Sequence, residues 1–137
     1  MNQKILCLKG LPGSGKSFYA KQYCKDHPEF IRINKDDIRE LLGNPPHNSK
    51  FENSVINIER NMGLAILDSG RSLLVDNTHF SEKYIKFWKN IAGSRHIEFE
   101  EYFLDTPLEQ CIIQDLQREK SVGKEVILGM YKKYLEK

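Results

Sequence analysis

Residues 10–17 read Gly10-Leu11-Pro12-Gly13-Ser14-Gly15-Lys16-Ser17 and match the pattern G-x-x-x-x-G-K-[ST] in full. The apolar run at residues 4–9 has the length of a buried strand, and the apolar side chains of residues 17–26 recur at helical spacing. A glycine-rich turn between a strand and a helix can direct several backbone N–H groups at one anion, because glycine has no Cβ. The stretch therefore predicts a loop that binds phosphate groups, called the phosphate loop below.

Two side chains of the phosphate loop have the chemistry to act on a nucleoside triphosphate. We expect Lys16 to reach the β- and γ-phosphates and the Ser17 hydroxyl to bind Mg²⁺. A dinucleotide-binding glycine pattern fits poorly, because Phe18 occupies its third glycine position. The motif therefore predicts that the chain binds ATP with Mg²⁺.

Beyond the phosphate loop, short apolar runs alternate with helical patterns. The runs at residues 30–34, 72–76 and 96–104 are predicted strands, and the helical patterns cover residues 36–42, 52–67, 81–91, 106–119 and 125–136. The polar, proline-containing residues 44–50 are predicted to be a mobile loop. This alternation predicts an α/β fold in which a parallel sheet is covered by helices on both faces.

The length and the charge limit the possible classes of protein. The chain has 137 residues, 39% hydrophobic and 29% charged, which is typical of one domain with one sizeable core, so we interpret residues 1–137 as a single domain. Lys and Arg number 21 against 19 Asp and Glu, and the formal charge of +2 is too small for a polycation that coats nucleic acid. Any nucleic acid must therefore be held by a local site.

The chain also lacks the patterns of membrane and secreted proteins. No apolar run approaches the ~20 residues that a membrane span needs, and no signal-peptide core precedes the first strand. We expect a soluble, cytoplasmic protein with no membrane partner. Cys7, Cys24 and Cys111 are odd in number and widely spaced, which argues against disulfides or structural zinc and predicts small, buried apolar side chains.

A polar and charged block, Asn34-Lys35-Asp36-Asp37-Ile38-Arg39, begins where the second predicted strand ends. In an open parallel sheet, this end of the strand borders the ligand crevice. A hydroxyl that attacks a phosphate must lose its proton, so we predict that Asp36, the carboxylate nearer the strand, is the general base. Arg39 lies about one helical turn further on, where its guanidinium could hold an acceptor phosphate. The alternative is that Asp36 or Asp37 caps the helix and Arg39 is solvated.

Two further charged residues are expected near the phosphates. The apolar run at residues 72–75 ends in Asp76, and a carboxylate in this position can hold Mg²⁺ through water or orient other side chains; the alternative is an ordinary turn residue. Arg118 opens a polar stretch between two helices that could close over ATP and stabilise the charge of the transferring phosphoryl group. The alternative for Arg118 is an arginine on the surface.

These residues together resemble the kinase domain of the phage polynucleotide kinases over nearly the whole chain. The phosphate loop, Asp36 with Arg39, Asp76-Asn77-Thr78, and Arg118 followed by Met130-Tyr131 occur in the order of that family. The resemblance implies an α/β P-loop kinase with a central parallel sheet of about four strands, helices on both faces and a helical lid. It also implies an ATP-dependent kinase that transfers the γ-phosphate to the 5′-hydroxyl end of DNA or RNA.

The resemblance implies a role for each of these residues. Lys16 and Ser17 handle ATP and Mg²⁺, Asp36 is the general base, and Arg39 grips the phosphate beside the acceptor nucleoside. Asp76 is a supporting carboxylate and Arg118 clamps the phosphates of ATP.

The chain departs from the family in two respects. Residues 114–118 lack the additional Arg and the Asn that the family tends to have in its lid. Phage enzymes of this kind often continue into a phosphatase domain with a D-x-D-x-[TV] motif, and the absence of that motif predicts no phosphatase activity. Two alternatives to a polynucleotide kinase remain at this point: a P-loop kinase for a small hydroxyl compound such as a nucleoside, sugar or metabolite, and a non-catalytic nucleotide-binding module.

Overall fold

Four parallel strands form one sheet in the computed structural model, which describes residues 2–46 and 48–136. In chain order they are β1 (Lys4–Lys9), β2 (Phe30–Ile33), β3 (Ser72–Asp76) and β4 (Glu98–Phe103). Across the sheet the order is β2-β3-β1-β4, so β1 and β3 are the central strands. All five residues of β3 are buried, as expected for an apolar run covered on both faces. The predicted parallel sheet of about four strands is confirmed.

Within the described residues, six helices connect and flank the strands. They are α1 (Lys16–Asp26), α2 (Lys35–Leu41), α3 (Ser49–Asp68), α4 (Glu82–Arg95), α5 (Leu108–Leu116) and α6 (Lys124–Tyr134). Alternate side chains of each central strand point to opposite faces, so β1 supplies two cores. Ile5 and Cys7 pack with residues of α3 and α4, whereas Leu6 and Leu8 pack with Ala20 of α1.

The approach of α3 to α4 depends on a residue without a side chain. A Cβ added at Gly63 of α3 would lie 2.3 Å from the Trp88 ring of α4, well inside contact distance. Trp88 is 2% exposed and is among the largest fully buried side chains. Gly63 therefore lets the indole ring lie against the α3 backbone.

A third apolar cluster joins the last two helices to the phosphate loop. It contains Leu11 of the loop, Phe80, Cys111 of α5 and Ile127 of α6, all buried. The predicted helical lid is thus the pair α5 and α6, packed beside the phosphate loop. Cys7 and Cys111 are buried as predicted, while Cys24 is only half-buried.

Several helix boundaries differ from the prediction because side chains make unexpected hydrogen bonds. α3 begins at Ser49 rather than at residue 52, because the Asn48 side chain accepts a hydrogen bond from the Phe51 N–H and caps the helix. The predicted loop at residues 44–50 is therefore shorter. His47, in the middle of that loop, lies outside the described residues.

The helix predicted at residues 106–119 is also shorter. The Thr106 hydroxyl, at the predicted start of the helix, donates to the carbonyl of Ser14 at 2.8 Å and so does not cap the helix. α5 begins only at Leu108 and ends at Leu116, which leaves Arg118 in the turn beyond the helix. Within the described residues, no helix combines the length and the apolar character that crossing a membrane requires.

Candidate active site

A cleft of about 380 Å³ opens at the carboxyl ends of the strands, beside the phosphate loop. Its lining includes all the side chains that the sequence suggested for chemistry, namely Lys16, Ser17, Asp36, Arg39, Asp76 and Arg118. These residues come from four separate parts of the chain. They converge because the parallel strands all end at this edge of the sheet, as the position of ligand sites in open α/β folds predicts.

The phosphate loop takes its shape from glycines at positions where a side chain would either clash with a neighbour or strain the backbone. Gly13 has φ +81°, and a Cβ there would lie 2.1 Å from the carbonyl oxygen of Cys111 in α5. Gly15 has φ +98° and precedes the first turn of α1, with no atom within 4 Å of its Cβ position. The loop can thus approach both the lid and a bound anion, with the N-terminus of α1 directed at the same space.

Lys16 is held inside the loop by backbone carbonyl groups. Its ammonium group donates to the carbonyl oxygens of Gly10 and Leu11, at 2.9 and 2.8 Å. Burial lowers the pKa of Lys16 to about 8, an effect that the nearby carboxylate of Asp76 opposes and the positive charge of Arg118 reinforces. A phosphate group at this site would supply the negative charge that a partly desolvated ammonium group needs.

Asp36 and Arg39 lie on one face of α2 and contact each other directly. Arg39 donates from Nη1 to Oδ1 of Asp36, at 2.6 Å, and from Nε and Nη2 to both carboxylate oxygens of Glu52, at 2.8 Å each. The side chain of Asp36 is 88% exposed to the cleft and solvent, while that of Arg39 is only 30% exposed. The double contact with Glu52 of α3 therefore fixes the guanidinium, and Asp36 stays accessible.

Asn34, rather than Asp36 or Asp37, caps the N-terminus of α2. The Asn34 side-chain oxygen accepts from the Asp37 N–H, at 2.8 Å, and its amide donates to the Asp37 carboxylate. The alternative in which Asp36 or Asp37 caps α2 is thus wrong. Asp37 also receives a hydrogen bond from Arg32, at 3.2 Å, so two polar side chains bind it while Asp36 faces Arg39.

Arg32 of β2 is a residue of the site that the sequence analysis missed. Its guanidinium lies 2.8 Å from Oδ2 of the buried Asp76 and 3.3 Å from the hydroxyl of Ser17. Ser17 and Asp76 were expected to hold Mg²⁺, and hydroxyl and carboxylate oxygens are ligands that suit this ion. The arginine already neutralises Asp76, which fits an indirect, water-mediated contact between Asp76 and the ion better than direct ligation. A charged residue inside a predicted strand was the available signal.

Glu59 of α3 is a second residue that the sequence analysis missed, and it supports the cleft through Asn77. Asn77 donates to both carboxylate oxygens of Glu59, at 2.9 and 3.2 Å, and accepts from the backbone N–H of Lys35. Glu59 is 3% exposed, and burial raises its pKa although the hydrogen bond from Asn77 opposes that shift. The hydrogen bond from Lys35 to Asn77 thus connects the end of β3 to the start of α2. The sequence could have indicated Glu59, because it lies four residues from both Val55 and Gly63 and so shares their buried face of α3.

The turn between α5 and α6 is held by a buried carboxylate, Asp115. It accepts hydrogen bonds from the backbone N–H groups of Val122 and Gly123, at 3.1 and 2.9 Å, and forms an ion pair with Arg118. Burial alone would raise the pKa of Asp115, but these hydrogen bonds outweigh it and hold the pKa below the usual value. Arg118, 41% exposed, is thereby directed toward the cleft from the turn after α5.

The lid also contacts the phosphate loop and the opposite side of the cleft. Gln114 donates to the carbonyl of Gly13, at 2.9 Å, in the part of the lid that departs from the phage kinase pattern. On the far side, the Lys120 ammonium lies 3.3 Å from a carboxylate oxygen of Glu40 in α2, and both side chains are 65% exposed. The lid therefore spans the mouth of the cleft.

Comparison with curated proteins gives relatives that are 26% identical to this chain over the aligned residues. L-seryl-tRNA(Sec) kinase of Methanococcus maripaludis is 26% identical over 134 residues, which are 95% of this chain and 52% of the relative. A protein of Autographa californica nuclear polyhedrosis virus, named for polynucleotide kinase and RNA ligase activities, is 26% identical over 98% of this chain and 21% of its own length. The chain thus spans about half of the first relative and a fifth of the second.

Solved structures share the fold at lower identity. A chain in the structure of the Pnkp1/Rnl/Hen1 RNA repair complex superimposes with a TM-score of 0.76 at 22% identity, over 98% of this chain and 47% of that one. The Mycobacterium tuberculosis APS kinase CysC, solved with AMPPNP and APS, has a TM-score of 0.66 at 22% identity, over 83% and 69% of the two chains. Both share the α/β P-loop kinase fold.

A family model settles the classification that the fold suggests. The model described as "AAA domain" matches residues 5–136, which is nearly the whole chain. The match includes the phosphate loop, the block around Asp36 and the lid. The chain therefore belongs to the AAA domain family.

Proposed function

We propose that this protein is an ATP-dependent polynucleotide 5′-hydroxyl kinase, which transfers the γ-phosphate of ATP to the 5′-hydroxyl end of DNA or RNA. The observation that carries the proposal is the pair of Asp36 and Arg39, in direct contact on one face of α2 and in the same cleft as Lys16. A carboxylate for a hydroxyl and a guanidinium for a phosphate are the two groups that a 5′-hydroxyl end with its neighbouring phosphodiester requires.

On the donor side, the backbone N–H groups of the phosphate loop and the Lys16 ammonium bind the phosphates of ATP. The ammonium now held by two carbonyl oxygens can turn to the β- and γ-phosphates, which offer it a negative charge. Arg118, presented by Asp115, neutralises the charge that spreads over the oxygens of the transferring group. Ser17, with Asp76 behind it, would hold Mg²⁺, and the ion would supply positive charge that polarises the phosphates of ATP.

On the acceptor side, Asp36 and Arg39 have separate tasks. Oδ1 of Asp36 accepts from Arg39, so the second carboxylate oxygen can receive the proton of the 5′-hydroxyl as its oxygen attacks the γ-phosphorus in line. The ADP oxygen leaves on the opposite side. Arg39, held by Glu52, binds the phosphate 3′ to the accepting nucleoside and so sets the distance between the hydroxyl and Asp36.

The proposal is tested by the choice of acceptor. The protein is incubated with γ-labelled ATP, Mg²⁺ and a series of acceptors: a 5′-hydroxyl oligonucleotide, a nucleoside 3′-monophosphate, a bare nucleoside, and a set of sugars. A hydrogen bond to a charged group contributes about 1.5–3 kcal/mol, so the 3′-monophosphate should exceed the bare nucleoside by roughly ten- to hundredfold in kcat/KM.

A pair of arginine variants links this preference to the cleft. Arg39→Ala should largely remove the advantage of the 3′-monophosphate with little change in ATP affinity. Arg71→Ala removes the same charge at an exposed position that does not line the cleft, and it should keep the advantage. Equal use of the bare nucleoside and the 3′-monophosphate by the wild-type protein would reject the polynucleotide kinase.

A kinase for a small hydroxyl compound is the second candidate. It is supported by the likeness of the fold to APS kinase and to a gluconokinase from Sinorhizobium meliloti, whose chain superimposes with a TM-score of 0.64 at 16% identity. In such a kinase Asp36 would keep its role, while Arg39 would bind another anion of the acceptor. Labelling of a sugar or metabolite in preference to every nucleotide acceptor would favour this candidate.

A further inference from the structure

A smaller hollow of about 130 Å³ lies beside the cleft, on the side of β3 and α6. It shares Lys35, Asn77, Thr78 and Met130 with the cleft, and beyond them it is lined by Tyr84 of α4 and Tyr134 of α6, among others. We call it the Tyr84 pocket. Because four residues line both spaces, the pocket lies within reach of a polymer bound in the cleft.

Aromatic rings and a cation give the Tyr84 pocket its chemistry. The Lys35 ammonium lies 4.0 Å from the centre of the Tyr84 ring. Tyr134 is 40% exposed, and its ring stacks at 5.4 Å and 15° on the buried Phe80, which holds it in place. Aromatic rings beside a lysine are the combination on which single-stranded nucleic acids stack a base and pair a phosphate.

The histidine and the asparagine in the lining of the Tyr84 pocket already have hydrogen-bond partners. His79 in its lining is 4% exposed, its Nδ1 lies 2.7 Å from the carbonyl oxygen of Leu8, and burial lowers its pKa to about 4. The imidazole is therefore neutral and already bonded at neutral pH. The Asn77 amide is occupied by Glu59. The pocket is suited to binding rather than to proton transfer.

Size indicates how much of a ligand the pocket can take. Clefts that enclose a drug-sized ligand measure about 300–1,000 Å³. The main cleft, at about 380 Å³, falls in this range and can take the reacting nucleoside with its 3′-phosphate at Arg39. The Tyr84 pocket, at about 130 Å³, is sufficient only for a flat ring or part of one.

We propose that the Tyr84 pocket binds the base of the second nucleotide of the acceptor, with Lys35 next to the connecting backbone. This inference rests on the proposed polynucleotide kinase and deepens it, because it makes a single-stranded end of at least two nucleotides the preferred acceptor. Base stacking on aromatic side chains is sequence-tolerant, so the pocket should accept any base.

Acceptors that differ only at the second nucleotide test the proposal. We compare kcat/KM for a nucleoside 3′-monophosphate, a dinucleotide, and dinucleotides with an abasic residue in the first or the second position. Loss of a stacked base typically lowers binding by about five- to hundredfold. The intact dinucleotide should exceed the 3′-monophosphate by that factor, and the abasic residue in the second position should remove the gain.

Variants of α4 connect the effect to Tyr84. Tyr84→Ala should lower the ratio of the dinucleotide to the 3′-monophosphate in kcat/KM toward one, while Tyr84→Phe, which keeps the ring, should preserve the ratio. Lys86→Ala, an exposed position of the same helix that does not line the pocket, is the matched control and should behave like wild type. A thermal melt of each variant separates misfolding from lost stacking.

Fluorescence anisotropy of labelled tetranucleotides gives a readout that does not require catalysis. Wild type should bind the intact strand more tightly than one that is abasic at the second position, and Tyr84→Ala should not distinguish them. An unchanged dinucleotide ratio in Tyr84→Ala, a loss only with the abasic residue in the first position, or no difference in anisotropy would overturn the inference. If wild type phosphorylates no nucleotide yet anisotropy shows the difference, the proposed kinase function fails and the pocket stands.

Discussion

Replacement of Asp115 by Asn should loosen the lid and lower the stability of the protein. Asp115 is fully buried and accepts from the backbone N–H groups of Val122 and Gly123 while it pairs with Arg118. The substitution keeps the size of the side chain but exchanges one carboxylate oxygen for an NH₂ group. One of the two backbone N–H groups then faces a second donor instead of an acceptor.

The size of the effect follows from these three contacts. A buried donor left without an acceptor costs about 1–3 kcal/mol. The pair with Arg118 adds only about 0–1 kcal/mol, because the arginine side chain is 41% exposed and is hydrated when released. We expect a loss of about 2–3 kcal/mol in the free energy of unfolding, which lowers Tm by roughly 6–15 °C in a chain of this size.

The assay is thermal unfolding followed by circular dichroism, together with the KM for ATP. Glu119→Gln is the matched control, because it makes the same change from acid to amide at an exposed position four residues away. The control should melt within about 0.5 kcal/mol of wild type, as surface substitutions do. The Asp115 variant should also raise the KM for ATP, since Arg118 is no longer directed into the cleft.

The pH dependence gives an independent signature with a defined sign. The pKa of folded Asp115 is held below the usual value of about 3.9, so its contribution is complete above that pH and is lost as the pH falls through the lower folded pKa. The stability difference between wild type and the Asn variant should therefore be constant near pH 7 and shrink below about pH 4. A variant that melts like Glu119→Gln, or a difference that grows in acid, would refute this account of the lid.

Three further predictions concern the cleft and the core. Asp36→Asn should lower kcat by at least about a hundredfold with little change in ATP affinity, whereas Asp37→Asn should lower kcat only slightly. Steady-state kinetics that reverse this order would contradict the assignment of Asp36 as the base. Because the pKa of Lys16 is lowered to about 8, ATP affinity measured by calorimetry should fall as the pH rises through 8, and in Lys16→Arg it should stay level between pH 7 and 9. Gly63→Ala should lower the free energy of unfolding, measured in urea, by about 1–3 kcal/mol, because the added Cβ meets the Trp88 ring. The control Gly129→Ala, with open space around its Cβ, should be neutral or stabilising. Equal effects of the two substitutions would refute the packing argument.

Local patterns in the sequence were enough to predict the sheet and the phosphate loop. The alternation of short apolar runs with helical spacing depends on which residues must be buried, and burial patterns are properties of each segment. The match at residues 10–17 is equally local, because glycine backbone freedom and a lysine at the start of a helix act within a few residues. The positions of Asp36 and Asp76 at strand ends followed from the parallel topology alone.

Only the tertiary structure decided which polar groups pair across the molecule. Arg32 meets Asp76 from 44 residues away, Arg39 is fixed by Glu52 of another helix, and Asn77 binds the buried Glu59. No spacing rule predicts such contacts, because they depend on how helices and strands that are distant in sequence are oriented against each other. The sequence indicated that a carboxylate and an arginine stand near the phosphate loop, and the packing of α2 against α3 determined how they are held.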